Sequence, residues 1–146
     1  MATVGMTDLG FPTRNREGYP DLTAYQALKN AQRTEFGYRR LVYICSPYSG
    51  DTAANIELAR QICAHAVASR VIPLAPHLFF PQFMNDDDPD ERELAMFFNR
   101  ILLLHCEAMW VYTPSVSAGM RIEIEWAHIN DLPIRYLDEN FGQMAL

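Results

Sequence analysis

Four short apolar runs, separated by segments with helical periodicity, constrain the fold of this chain more than any other feature. The runs are LVYIC from Leu41, VIPLAP from Val71, AMWVYT from Ala108 and LPIRYLD from Leu132. Such runs are typical of strands that a parallel sheet covers on both faces. Because strand and helix alternate at the spacing of βαβ units, we predict an α/β fold: a doubly wound, flavodoxin- or Rossmann-like parallel sheet of four to five strands with flanking helices.

Local signals predict where these elements begin and end. A helix is expected over residues 51–69, and the pair Asp88 and Pro89 is typical of the start of another. Proline cannot donate to a sheet ladder, so Pro73 places the second strand at an edge or a bulge. The helix after Asp88 is expected to turn one apolar face inward, formed by Leu94, Phe97, Phe98, Ile101 and Leu102.

The first 37 residues differ from the rest of the chain. Residues 1–20 contain Gly and Pro without periodicity, and a helix capped by Asp21 and ended by Gly37 follows. We therefore predict an N-terminal arm and accessory helix over residues 1–37 and an α/β domain over residues 38–146. Neither export nor a membrane partner is predicted, since no signal-peptide pattern and no run of ~20 apolar residues is present.

Charge and cysteine content narrow the classes of function. A net charge of -6 and a pI near 5.1 argue against binding a nucleic acid polymer, which depends on clustered Lys and Arg. Cys45, Cys63 and Cys106 are odd in number and lie in apolar surroundings, which indicates reduced thiols and a cytoplasmic location. No His or Cys stands at metal-ligand spacing, so neither a metal nor another cofactor is expected.

The candidate ligand site follows from the predicted sheet. Ligands of open parallel sheets bind outside the carboxyl ends of the strands, where the loops after the first three strands converge. The loop after the first strand supplies hydroxyls and amides, and the loop after the third begins a helix whose N–H groups favour an anion. The candidate substrate-binding residues are Ser46, Pro47, Tyr48, Ser49, Gly50, Ser117, Ala118 and Gly119.

Glu123 lies about one turn inside that last helix. Its helical neighbours at i−4 and i+4, Gly119 and Ala127, are small and leave room above the carboxylate. Helical glutamates are usually solvated surface residues, so the spacing alone leaves the role of Glu123 open.

The succession VYICSPYSG, CEAMWVYTPSVSAGMRIEIEWA and PIRYL resembles the nucleoside 2-deoxyribosyltransferase superfamily, including its nucleoside 5'-monophosphate N-glycosidase branch, over residues 41–137. The resemblance implies a nucleophilic Glu four residues after a Gly, which falls on Glu123 and Gly119. Ser117 stands where transferases of free nucleosides have Asp and monophosphate hydrolases have Ser, which favours a phosphorylated substrate. The resemblance also implies a homodimer or larger homo-oligomer.

The superfamily's second carboxylate falls on Asn99, which cannot deliver a proton. His77, or an acidic residue such as Asp87, Asp88 or Glu91, is a hypothetical proton source in its place. The candidate catalytic residues are therefore Glu123, Asn99 and His77.

Two functions that involve a nucleotide remain open at this point, besides a purely structural or interaction role that only the N-terminal arm and accessory helix suggest. The resemblance implies cleavage or transfer of the N-glycosidic bond of a nucleotide or nucleoside through a glycosyl ester on Glu123, with hydrolysis favoured. Glu123 must be ionised to attack, and the helix N-terminus is expected to favour that form. The alternative is a catalytically inactive nucleotide-binding or sensing module of the same fold, suggested by Asn99.

Overall fold

The computed structural model describes residues 23–24, 26–27, 30 and 36–144. The chain divides into two compact units between Tyr38 and Arg39. In the first unit, residues 23–24, 26–27, 30 and 36 are helical. Gly37 follows with a φ of 74°, the left-handed conformation with which many helices end, as predicted. The predicted arm and the predicted cap Asp21 lie outside the described residues.

The second unit is built on a four-stranded sheet in which every pairing is parallel. Its strand order is β2-β1-β3-β4, so β1 and β3 are central and β2 is an edge strand. This architecture confirms the predicted α/β fold, and Pro73 lies on an edge strand as predicted. The strands are β1 (Arg40–Cys45), β2 (Val71–Leu74), β3 (Ala108–Tyr112) and β4 (Ile134–Leu137).

Strand β1 is buried on both faces. Val42, Tyr43, Ile44 and Cys45 are each 1% exposed. Tyr43 and Cys45 belong to one core cluster, and Val42 and Ile44 belong to the other. Side chains alternate across a strand, so β1 contributes to the core on both sides of the sheet.

Three helices follow the first three strands, and a side chain caps each of them: α1 (Thr52–Ala68), α2 (Pro89–Leu104) and α3 (Ala118–Ile129). Each cap accepts a hydrogen bond from a backbone N–H of the first turn, which explains why the helices begin where the local signals indicate. These bonds are Ala54 N–H to Asp51 at 3.2 Å, Asp90 N–H to Asp88 at 2.9 Å and Met120 N–H to Ser117 at 3.2 Å. None of the described helices is long and apolar enough to cross a membrane.

The inward face of α2 differs from the predicted one. Leu94, Phe97 and Ile101 were expected to face the core but are 46%, 58% and 41% exposed. Leu103 is 1% exposed instead, and Asn99 lies on the inner side of the helix. The run MFFNRILLL is apolar on most sides, so its periodicity does not distinguish one face from the other.

Adjacent leucines of α2 provide a matched test of this orientation. Replacing buried Leu103 by Ala should lower the free energy of unfolding by about 2–5 kcal/mol, because the change leaves a cavity in the core. Leu104→Ala, at a position that is 50% exposed, should change it by less than about 1 kcal/mol. Urea denaturation of both variants measures the difference, and equal losses would contradict the orientation.

Candidate active site

A cavity of about 170 Å³ lies beside the carboxyl ends of β1 and β3. In the order β2-β1-β3-β4, these two strands flank the point where the chain reverses its direction of winding, which is where open α/β sheets bind ligands. The loop after β1, the segment after β2, the inner side of α2 and the start of α3 all contribute to its lining. The convergence of these loops was predicted.

Most of the candidate residues line this cavity, and two do not. Pro47 is buried elsewhere, and Gly50 is exposed with a φ of 97°, a conformation that turns the chain into α1. Both residues belong to the loop after β1 but do not line the cavity. The candidates that line it are Ser46, Tyr48, Ser49, His77, Asn99, Ser117, Ala118, Gly119 and Glu123.

Asn55 shapes the loop after β1. Its Nδ2 donates to the carbonyl oxygens of Tyr48 at 3.1 Å and Ser49 at 3.0 Å. Sequence analysis missed this residue, because a polar side chain inside a helix has no local feature that identifies its partners.

The Glu123 carboxylate accepts a hydrogen bond from the Tyr43 hydroxyl. Burial raises the pKa of Glu123 to about 7, and the Tyr43 hydrogen bond opposes that shift because it stabilises the carboxylate. The net shift is toward the protonated form, opposite to the direction expected from the helix N-terminus, because desolvation is its largest cause. Ala127 is also not part of the space above the carboxylate, because it is fully buried in the core.

Tyr43 is the main site residue that sequence analysis missed. Burial, and then the charge of Glu123, raise its pKa well above the ordinary value, so the hydroxyl keeps its proton and donates it. One feature of the sequence could have identified Tyr43. Tyr43 carries the polar group among the apolar side chains of LVYIC, and a buried tyrosine hydroxyl usually has a hydrogen-bond partner.

His77 lies on a 3-10 turn, Pro76–Leu78, and faces the loop after β1. Its Nε2 and Ser46 Oγ share a hydrogen bond of 2.8 Å. Burial lowers the pKa of His77 to about 4, so the imidazole is neutral at physiological pH. In this environment His77 holds Ser46 in place, and its imidazolium form is not available to donate a proton.

Asn99 extends from α2 into the cavity. Its Oδ1 is buried and accepts no hydrogen bond from any described residue. The Nδ2 group makes a weak contact with Met96 Sδ at 4.0 Å. A buried acceptor without a partner costs about 1–3 kcal/mol, so this amide is placed to accept from a ligand.

The acidic residues near the cavity are not equivalent. Asp86 and Glu91 line it, whereas Asp88 is engaged as the cap of α2. The pKa of the Tyr48 hydroxyl is raised by burial and then by the charges of Asp86 and Asp87, which shows that both carboxylates lie near Tyr48. Of the proposed proton sources in this segment, Glu91 alone is among the described lining residues.

The aromatic residues divide between cavity, surface and core. Phe80 lines the cavity and packs on Phe98 with ring centroids 5.5 Å apart. Phe79 and Phe83 are more than half exposed, and Trp110 is a core residue. Among residues 36–144, no group of three or more His, Cys, Asp or Glu is arranged to hold a metal ion.

The fold and the cavity at its switch point define a class, α/β domains with the nucleoside 2-deoxyribosyltransferase fold. Two solved structures show this likeness. A 2-deoxyribosyltransferase from Bacillus psychrosaccharolyticus has a TM-score of 0.52 at 11% identity, with 73% of this chain and 77% of that chain covered. One from Leishmania mexicana has a TM-score of 0.51 at 14% identity, with 68% and 64% covered.

Within this class, the chain belongs to the family described as "Domain of unknown function (DUF7768)", whose model matches residues 40–137. The matched segment contains β1 to β4 and every described residue of the cavity lining. No curated protein matches the chain. The structural likeness agrees with the resemblance seen in the sequence at the level of fold.

Partly buried Glu123, whose carboxylate is desolvated, should make stability depend on pH. Its pKa is about 7 in the folded protein against an ordinary 4.5, so the folded state binds more protons between these values and stability falls as the pH rises through them. Glu123→Gln removes this pH-dependent contribution to stability. The stability of the variant relative to the parent should rise by roughly 2 kcal/mol from pH 5 to pH 8.

Urea denaturation at several pH values measures that difference. The control is Glu125→Gln, which makes the same change at an exposed position on the same helix and so corrects for the general effect of removing a carboxylate. Partly buried His77 contributes a trend of opposite sign to both proteins, since its lowered pKa makes stability rise between pH 4 and 6.5. A flat profile for Glu123→Gln would contradict the burial of this carboxylate.

Proposed function

We propose that this protein cleaves the N-glycosidic bond of a nucleotide or nucleoside, with Glu123 as the nucleophile. The observation that carries the proposal is the Glu123 carboxylate, which enters the switch-point cavity with a hydrogen bond from Tyr43. A carboxylate held by one donor keeps lone pairs for attack. The two structural neighbours are 2-deoxyribosyltransferases, which supports N-glycosidic chemistry for this fold.

In the proposed reaction, a Glu123 oxygen attacks the anomeric carbon as its bond to the base breaks through an oxocarbenium-like transition state. The resulting glycosyl ester is then hydrolysed by water, which restores the carboxylate and releases the sugar with net retention. Tyr43 holds the carboxylate in position and keeps its own proton. A second nucleobase in place of water would make the same site a transferase.

The start of α3 supports a substrate with a 5'-phosphate. The N–H groups of Ala118 and Gly119 lie in the first turn and have no acceptor among the described residues, while Ser117 caps Met120 N–H. Free amides at a helix N-terminus favour an anion. For this reason we favour a nucleoside 5'-monophosphate over a free nucleoside and hydrolysis over transfer.

The second candidate is a nucleotide-binding or sensing module without turnover, and the observation that favours it is Asn99. An amide in the cavity supplies no proton for a leaving base. Such a module would show ligand-dependent heat stability and no product. The predicted homo-oligomer and cytoplasmic location remain predictions, and sedimentation of the full chain tests the first.

Glu123→Gln should abolish release of free base from nucleosides and their 5'-monophosphates, by about 10³-fold or more, because the amide cannot form the ester. Chromatography of the products measures the release. Glu125→Gln is the control, since it changes the same side chain at an exposed position of α3. Thermal stabilisation of the parent by one substrate without any release would instead support the binding module.

Tyr43→Phe should raise the pH at which activity reaches half its maximum. Activity should increase with pH up to about 7 in the parent as Glu123 ionises, and loss of the Tyr43 hydrogen bond raises the pKa of that carboxylate further. Rates of base release from pH 5 to pH 9 measure the midpoint. A lower rate with an unchanged midpoint would mean that Tyr43 contributes packing alone.

A further inference from the structure

Apart from Asp86 and Glu91, the side chains of the cavity are poorly suited to protonate a leaving base. A neutral base needs a proton as it departs, or it leaves as a high-energy anion. His77 is neutral and its Nε2 is bonded to Ser46, while the Tyr43 proton is committed to Glu123. Glu123 cannot be acid and nucleophile in the same step. Asn99 occupies the inner side of α2 with an amide.

The remaining acidic groups favour positive charge in the ligand. Asp86 and Glu91 line the cavity with Glu123, and Glu91 lies in the first turn of α2. Against these carboxylates, Arg92 is the guanidinium among the described lining residues, and it is exposed. These carboxylates therefore favour a cationic group beside them, whereas the amides at the start of α3 favour an anion.

Aromatic faces support the same conclusion. Tyr48 lies in the lining near Asp86 and Asp87, and Phe80 contributes a second ring. A cation over an aromatic face gains about 0.5–2 kcal/mol when water is excluded.

The amide of Asn99 adds a requirement for hydrogen bonding. Its buried Oδ1 has no donor in the described part of the chain, so a ligand that fills the cavity should supply an N–H group. A carboxamide or an exocyclic amine on the base meets this need. An apolar base would leave the acceptor unpaired.

We propose that the substrates are N-glycosides of a cationic base, such as an N-alkylated pyridine or an N7-alkylated purine, whose N–H group is bound by Asn99. This inference rests on the proposed function and specifies its substrate class. The electron pair of the breaking C–N bond returns to the ring nitrogen, which loses its positive charge, so the base leaves without a proton. Water then cleaves the ester on Glu123 and yields the sugar, the carboxylate and one proton.

The experiment compares guanosine with 7-methylguanosine, and their 5'-monophosphates, as substrates of the full chain. The two bases differ in charge and one methyl group. Release of 7-methylguanine should exceed release of guanine at least ~100-fold after each is divided by its uncatalysed rate, the range that general-acid catalysis normally contributes.

Asn99→Asp changes the chemistry of this side chain with little change in its shape. The new carboxylic acid can donate a proton, so the variant should raise guanine release at least ~10-fold relative to 7-methylguanine release. Asn99→Leu should raise the KM for 7-methylguanosine, since it removes the acceptor. Asn130→Asp, which makes the same amide-to-acid change outside the lining, should alter neither rate, and thermal melts establish that each variant is folded.

The outcomes distinguish this inference from the proposed function. Equal normalised release of guanine and 7-methylguanine, abolished by Glu123→Gln, would overturn the cationic-base inference and leave the glycosidase intact. No response of guanine release to Asn99→Asp in a folded variant would also count against it. No release from any of the four compounds would overturn the cationic-base inference, and no release from the wider set of nucleosides and 5'-monophosphates would overturn the proposed function as well.

Discussion

The burial of β1 on both faces is the constraint on which the rest of the structure depends. A strand with a buried face on each side needs partners at both edges and layers above and below, which the order β2-β1-β3-β4 and the helices provide. The same order places the ends of β1 and β3 side by side and so creates the cavity. Tyr43 contributes to both the core and the cavity, since it packs in the core and its hydroxyl reaches Glu123.

The cavity holds its titratable groups in forms that water would not favour. Burial makes Glu123 a weaker acid and His77 a weaker base, so the first stays partly protonated and the second stays neutral near pH 7. Clusters of perturbed groups in a cleft are typical of functional sites rather than of ordinary cores. The unpaired Oδ1 of Asn99 is another such feature. These groups lower the stability of the free protein, and a bound ligand is the natural compensation.

Local physics explains which predictions succeeded. The helix starts were predicted correctly because their caps act locally: Asp51, Asp88 and Ser117 each accept a hydrogen bond from a backbone N–H within three residues. The prediction of the buried face of α2 was wrong because apolar residues surround the helix, and nothing local distinguishes Leu103 from Phe97. Pro47 and Gly50 lie outside the cavity lining, because the course of a loop depends on contacts beyond its own residues, such as those that Asn55 of α1 makes.

By itself, the sequence determined the order of strands and helices, the helix caps, the edge position of Pro73 and the placement of Glu123 near a helix start. These depend on neighbours within a few residues or on composition along a single element. Tertiary structure alone decided that Tyr43 donates to Glu123, that His77 bonds Ser46 and that Asn99 Oδ1 is left without a partner. Each depends on segments far apart in the chain that meet because the sheet order brings them together, and burial then sets the charge states.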